Sequence, residues 1–152
     1  MAEKLGLPFY DTDDLIMDRL GATIKEIVDQ KGWPFFRAKE KAVIQEVAAL
    51  NQGIVALGGG AILDPENRKI LKQKGLIVWL TADVQTTIDR MQSDLHNGDN
   101  RPPLSEKDRE GEIREMIALR DPLYGQMAHL TVDTKGKTIE EVTGEIIKKI
   151  DF

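Results

Sequence analysis

No cysteine occurs in the 152 residues, which excludes disulfides and thiolate metal sites. Histidine is almost as scarce, and His96 and His129 stand apart without metal-ligand spacing around them. Aromatic residues are 5% of the chain, and no apolar run approaches the roughly 20 residues of a membrane span. Residues 1–9 lack the apolar centre of a signal peptide. Positive charge is also in deficit: 21 Lys and Arg against 26 Asp and Glu give a net charge of -5, against a general electrostatic footprint for nucleic acid. Any anionic ligand must then be held by local arginines. These absences predict a soluble, cytoplasmic protein with neither membrane nor nucleic acid as partner. What is present, 41% hydrophobic and 31% charged residues, suffices for one ordinary core and a single domain over 1–152.

Local patterns divide the chain into alternating strands and helices. Residues 1–6 read as the tail of a helix closed by Gly6. Pro8-Phe9-Tyr10 is a brief strand ending at Asp11, and Asp13 or Asp14 is positioned to cap a helix running to Leu20 and stopped by Gly21. Thr23 and Glu26 form a capping-box pair before another short helix. Helical spacing of Phe36, Val43, Ile44, Val47 and Leu50 predicts an amphipathic helix over 36–50. Gly53-Ile54-Val55-Ala56-Leu57 and Leu76-Ile77-Val78-Trp79-Leu80 are continuous apolar runs, the pattern of parallel strands covered on both faces. With a helix over 65–74 between them they read as a βαβ unit. Further helices are expected over 84–91, 112–119 and 138–150, with a last strand at Leu130-Thr131-Val132-Asp133. The stretch 92–105 is polar and rich in Asn, Asp, Gly and Pro, as in a mobile surface loop.

Such alternation predicts a doubly wound α/β domain whose ligands gather at the carboxyl ends of the strands. Asp11 and Asp13 stand at one such end, where one carboxylate can orient a nucleophilic hydroxyl and the other a hydrated cation. The bland alternative is that Asp13 caps a helix and Asp11 is a solvated turn residue. Gly58-Gly59-Gly60 follows a strand directly, and three glycines cost more backbone entropy than a simple turn requires, so a close approach is expected there. Arg37 after Phe36 offers a planar fork for a carboxylate, or is an exposed helix charge able to pair with Glu40. Phe36, Leu123 and Tyr124 read as packing residues.

Five signatures in order, Phe9-Tyr10-Asp11-Thr12-Asp13, Phe36-Arg37, Gly58-Gly59-Gly60, Arg101-Pro102-Pro103-Leu104 and Arg120-Asp121-Pro122-Leu123-Tyr124, make the chain resemble shikimate kinase. The resemblance implies a three-layer, doubly wound parallel α/β sheet of the P-loop nucleoside-monophosphate-kinase type, with four of the family's five strands. It implies transfer of the ATP γ-phosphoryl group to the 3-hydroxyl of shikimate, with Mg2+, by a monomer in aromatic amino-acid biosynthesis. Under it, Asp13 orients the hydroxyl and serves as general base, and Asp11 reaches magnesium through water. Arg37 and Arg120 clamp the shikimate carboxylate, and Gly58, Gly59 and Gly60 lie beside the ring. Arg101, in a lid over about 92–111, reaches the ATP phosphates, while Arg90 and Lys137 fall on the adenine side. The family's usual Arg-Pro-Leu is here Arg-Pro-Pro-Leu.

The glycine-rich phosphate loop G-x-x-x-x-G-K-[ST] does not occur in these residues. In the family the strand leading into it lies between those corresponding to 54–57 and 76–80. Without it two edges are expected to lack partners, each unsatisfied group costing on the order of 1 to 3 kcal/mol, and little kinase activity is expected of the 152 residues alone. Either the start is displaced by roughly two dozen residues, the length of a strand, loop and helix turn, or the short chain has another role. That role would be a non-catalytic shikimate-binding module, and a kinase for a related acid such as gluconate is a further alternative.

Overall fold

The computed structural model describes residues 1–93 and 109–150. In chain order the elements are α1 (Ala2–Leu5), β1 (Phe9–Asp11), α2 (Thr12–Leu20), α3 (Ile24–Lys31), α4 (Trp33–Ala48), β2 (Ile54–Ala56), a 3-10 turn (Ala61–Leu63), α5 (Pro65–Lys74), β3 (Val78–Thr81), α6 (Val84–Ser93), α7 (Arg109–Met127), β4 (Leu130–Asp133) and α8 (Ile139–Ile150). The predicted alternation of strand and helix is therefore observed. All described strand pairs are parallel.

The strands form two separate pairs rather than one continuous sheet. β1 pairs with β2 in the register Phe9 to Ile54, Tyr10 to Val55 and Asp11 to Ala56. β3 pairs with β4, Val78 facing Leu130 and Thr81 facing Asp133. Among the described residues β2 and β3 share no ladder, so the predicted βαβ unit joins strands of different sheets. Their apolar runs are also less covered than a strand buried on both faces would be: β2 is half-buried throughout, and Leu76 and Leu80 are more than half exposed.

Helix ends follow local chemistry. Asp11, not Asp13 or Asp14, caps α2: its Oδ1 accepts from the amides of Asp13 at 2.9 Å and Asp14 at 3.3 Å. The β1 strand runs straight into this helix without a loop, which makes the last strand residue the cap. Thr23 and Glu26 form the predicted capping box. α4 begins three residues earlier than the spacing of apolar residues suggests, because Pro34 at its first turn needs no hydrogen-bonded amide. α7 runs beyond Leu119 through Pro122, where proline removes the amide that would have bonded to Ala118. Packing of Tyr124 on Trp79, with ring centroids 5.9 Å apart, accompanies the continued turn.

The first sheet is covered by Ile16 of α2, Ile24 and Ile27 of α3, and Phe36, Val43 and Val47 of α4, which form one buried cluster. Ile88, Ile113, Met127, Val132 and Ile146 are buried on the elements of the second half. Among the described residues no helix is long and apolar enough to cross a membrane. Ile16→Ala is expected to destabilise the fold by about 2 to 5 kcal/mol through loss of apolar burial and the cavity left, and Thr23→Ala by about 1 kcal/mol through loss of the cap. Urea unfolding midpoints measure both, and a loss at Thr23 equal to that at Ile16 would contradict this account of the core.

Candidate active site

The carboxyl ends of β1 and β2 are laced together by Thr12. Its side chain is fully buried, and its Oγ1 accepts from the Gly58 amide at 3.1 Å. Because Asp11 performs the capping, the Asp13 side chain is not consumed in it. A Cβ built on Gly58 would fall 2.6 Å from Asp13 Oδ1. The two aspartates of the Asp11-Thr12-Asp13 run thus have different surroundings, and the threonine between them ties the run to the glycine turn.

The other two glycines meet the two arginines. A Cβ on Gly59 would lie 2.9 Å from Arg120 Nη1 and 3.3 Å from the Tyr124 hydroxyl, and one on Gly60 would lie 2.6 Å from Arg37 Cζ. None of the three glycines has the positive φ that favours glycine, Gly60 being at -90°. Room, not backbone conformation, is what requires glycine at this turn. Successive glycines abut Asp13, Arg120 and Arg37, so all of the polar side chains proposed for the acid site converge on one stretch of backbone.

Each arginine is held by its own helix. Arg37 and Glu40 lie three apart on one face of α4, and Arg37 Nη1 donates to both Glu40 oxygens, at 2.8 Å to Oε1 and more closely to Oε2. Its guanidinium also lies over Trp33 and Phe36, at 5.1 and 5.4 Å from the ring centres. Phe36 is buried, as expected of a packing residue. Glu40 is only 1% exposed, and burial raises its pKa above the ordinary carboxylate value, opposed by Arg37 and Arg120 and reinforced by Asp13. Arg120 and Tyr124 lie four apart on α7, and the Tyr124 hydroxyl donates to the Gly59 carbonyl at 2.6 Å. Burial raises the Tyr124 pKa against the pull of Arg120. Arg120 Nε is buried and has no hydrogen-bond partner among the described residues. A hollow of about 160 Å³ between β3 and α7 adjoins Arg120 and is lined also by Trp79, Thr81, Met116 and Asp121.

Arg90 and Lys137 are engaged with other parts of the chain. Arg90 donates from Nη1 to Thr134 Oγ1 at 2.8 Å and from Nη2 to the Thr134 carbonyl at 3.1 Å, just after β4. Lys137 pairs with Glu145 of α8 at 2.6 Å. Arg101 and the central part of the predicted 92–111 lid lie outside the described residues. No group of three or more acidic or histidine side chains suited to a metal converges among the described residues. The sequence reading overlooked Thr12 and assigned Glu40 only as an incidental partner of Arg37. Their signals were a small hydroxyl between two aspartates and an acid three residues after an arginine on a helix.

A parallel α/β frame with charged groups gathered at its strand ends is one on which small ligands bind. The shikimate kinase family profile matches residues 1–151. Shikimate kinase of Symbiobacterium thermophilum is 38% identical over 151 residues, spanning 99% of this chain and 85% of that protein. That of Syntrophus aciditrophicus is 35% identical, spanning 98% of this chain and 80% of its own length. The solved structure of shikimate kinase from Acinetobacter baumannii in complex with shikimate matches with a TM-score of 0.90 at 35% identity, over 98% of this chain and 81% of that one. The Bacteroides thetaiotaomicron shikimate kinase structure matches at 0.86 with 25% identity, over 99% and 88%. The chain belongs to the shikimate kinase family.

Gly60→Ala is expected to push the Arg37 guanidinium off its pairing with buried Glu40, lowering stability by a few kcal/mol at most although φ is ordinary there, and raising the shikimate Kd at least tenfold. Calorimetry with thermal melting checks it, and unchanged affinity would remove the room argument. For Glu40 the raised pKa means the folded state takes up the proton first. Stability from this group is therefore greatest below the ordinary carboxylate pKa and declines as pH rises through the raised value. In Glu40→Gln that component of the pH profile should vanish, and weaker shikimate binding should accompany the lost hold on Arg37; melting curves across pH test the first, titration the second.

Proposed function

We propose that the site binds shikimate through its carboxylate and presents a ring hydroxyl for phosphorylation by ATP. Arg37 and Arg120 clamp the carboxylate, each guanidinium offering a planar fork matched to two oxygens. The observation that carries this is the convergence of both arginines and Asp13 on three successive glycines, which leaves space where side chains would otherwise stand. The Acinetobacter baumannii relative in complex with shikimate supports the choice of acid.

Phosphoryl transfer has little covalent chemistry for a protein to perform, so positioning and charge placement dominate. Asp13 orients the attacking hydroxyl and takes its proton as the bond to phosphorus forms. ATP would supply the phosphoryl group, its bond to the β,γ-bridging oxygen breaking to release ADP, and Mg2+ when bound would neutralise phosphate charge. Magnesium is commonly held by one or two carboxylates together with waters and phosphates rather than by an all-protein cage. The donor set fits that mode: Asp11, with its Oδ1 committed to the α2 cap, is suited to hold the ion through water. Arg101, Arg90 and Lys137 serve the nucleotide side in this reading. The described residues supply the acceptor half of the reaction. The reading takes 1–152 as a single domain acting as a cytoplasmic monomer, and sedimentation velocity measures that state.

Arg37→Ala and Arg120→Ala are each expected to raise the shikimate Kd by roughly tenfold to a hundredfold, corresponding to loss of about 1.5 to 3 kcal/mol from a charged hydrogen bond. Asp13→Asn should leave binding within a few-fold and, in a form that also carries a phosphate-binding loop, lower turnover by about 10² to 10⁴. Calorimetric titration of the chain with shikimate and a coupled ADP-release assay separate the two effects. Wild-type affinity in the double arginine variant would sink the proposal.

A further inference from the structure

The glycine turn has no side chains with which to fix its own path, so it must be held by its neighbours. On the side of the charged groups, Thr12 accepts from Gly58 and Tyr124 donates to Gly59. Downstream, the Ala61 amide bonds back to the Gly58 carbonyl and the Leu63 amide to the Gly60 carbonyl, both at 3.0 Å. The glycines and the 3-10 turn after them are therefore one hydrogen-bonded piece. Its outer carbonyls are held from α5. Asn67 Nδ2 donates to the Ala61 carbonyl at 3.0 Å, and Arg68 Nη1 donates to those of Ile62 at 2.7 Å and Leu63 at 3.1 Å.

Asn67 is the unusual member of this set. It is 2% exposed, and its Oδ1 is buried without a partner among the described residues. An amide that satisfies only its donor side in the interior is a poorer packing residue than leucine of comparable size, so packing alone does not account for it. The frame that carries it is itself tied to the acid site. Lys41 of α4 pairs with Asp64 at 3.4 Å and Glu66 at 2.5 Å at the start of α5, and α4 also carries Arg37. The turn is thus gripped between the helix that bears Arg37 and the helix that bears Asn67.

We propose that Asn67, assisted by Arg68, is a positioning residue for acid binding. Its hold on the Ala61 carbonyl sets the distance of Gly59 and Gly60 from the two guanidinium groups, so that both can reach one carboxylate. This rests on the reading of the site as a carboxylate clamp. Asn67→Leu is expected to melt within a few degrees of wild type yet bind shikimate at least tenfold more weakly, and Asn67→His, which restores a donor, should recover part of the loss. In the Asn67→Leu variant the Gly58, Ala61 and Leu63 amides, whose bonds close the turn, should exchange with solvent at least tenfold faster by NMR, while amides of α8 keep their protection. Normal affinity and unchanged exchange of those amides in a folded Asn67→Leu protein would overturn the proposal. Where that variant does not fold, Arg68→Met, at a half-buried position, gives the same test, with several-fold weaker binding expected and unchanged binding contradicting it. If wild type itself fails to bind shikimate, the substrate reading falls, and the exchange rates of the Gly58, Ala61 and Leu63 amides still decide whether Asn67 holds the turn.

Discussion

Charged side chains of opposite sign crowd one short piece of backbone here, and they can do so only because that piece has no side chains. Asp13, Arg120 and Arg37 approach Gly58, Gly59 and Gly60 so closely that a methyl group at any of the three would collide with its partner. Everything around the turn follows from that requirement. Thr12 and Tyr124 supply hydrogen bonds to the turn, and α4 and α7 each deliver an arginine to it. The glycine turn is thus the point from which the geometry of the site is measured.

Holding cations this close to backbone and to one another has an electrostatic cost, which Glu40 offsets. A buried carboxylate is unfavourable alone, and its raised pKa records that burial outweighs the attraction of Arg37. What the pair contributes is orientation. Both bonds to Glu40 leave from Nη1, so that end of the guanidinium is anchored while its remaining donors belong to a ligand in the proposed mode of binding. Binding to such a group loses less side-chain entropy than binding to a free arginine, which is the physical content of preorganisation.

Much of this was legible in the chain, and the illegible parts share a cause. Capping chemistry marked Thr23 with Glu26, and glycine marked the ends at Gly6 and Gly21, both in the left-handed conformation. These signals are local and need no tertiary information. The family follows from motif order, and the profile and relatives agree with it. Asp11 rather than Asp13 caps α2 because β1 enters the helix without a loop, a fact about spacing in three dimensions. The run of α7 through Pro122 likewise depends on surroundings that propensity does not encode. That each glycine faces a different charged group could not be read from Gly58-Gly59-Gly60, since sequence reveals excess glycine but not what approaches it.

The separation of the strands into two parallel pairs bears on cooperativity. Among the described residues β1 and β2 share no ladder with β3 and β4, and side-chain bonds are found between the two pairs. Lys72 reaching the Gln126 carbonyl and Tyr124 reaching Gly59 are two such links. Arg37 belongs to one half and Arg120 to the other, so an anion grasped by both acts as a rivet across the seam. Binding of such an anion is thermodynamically linked to folding, so the ligand should raise the unfolding midpoint.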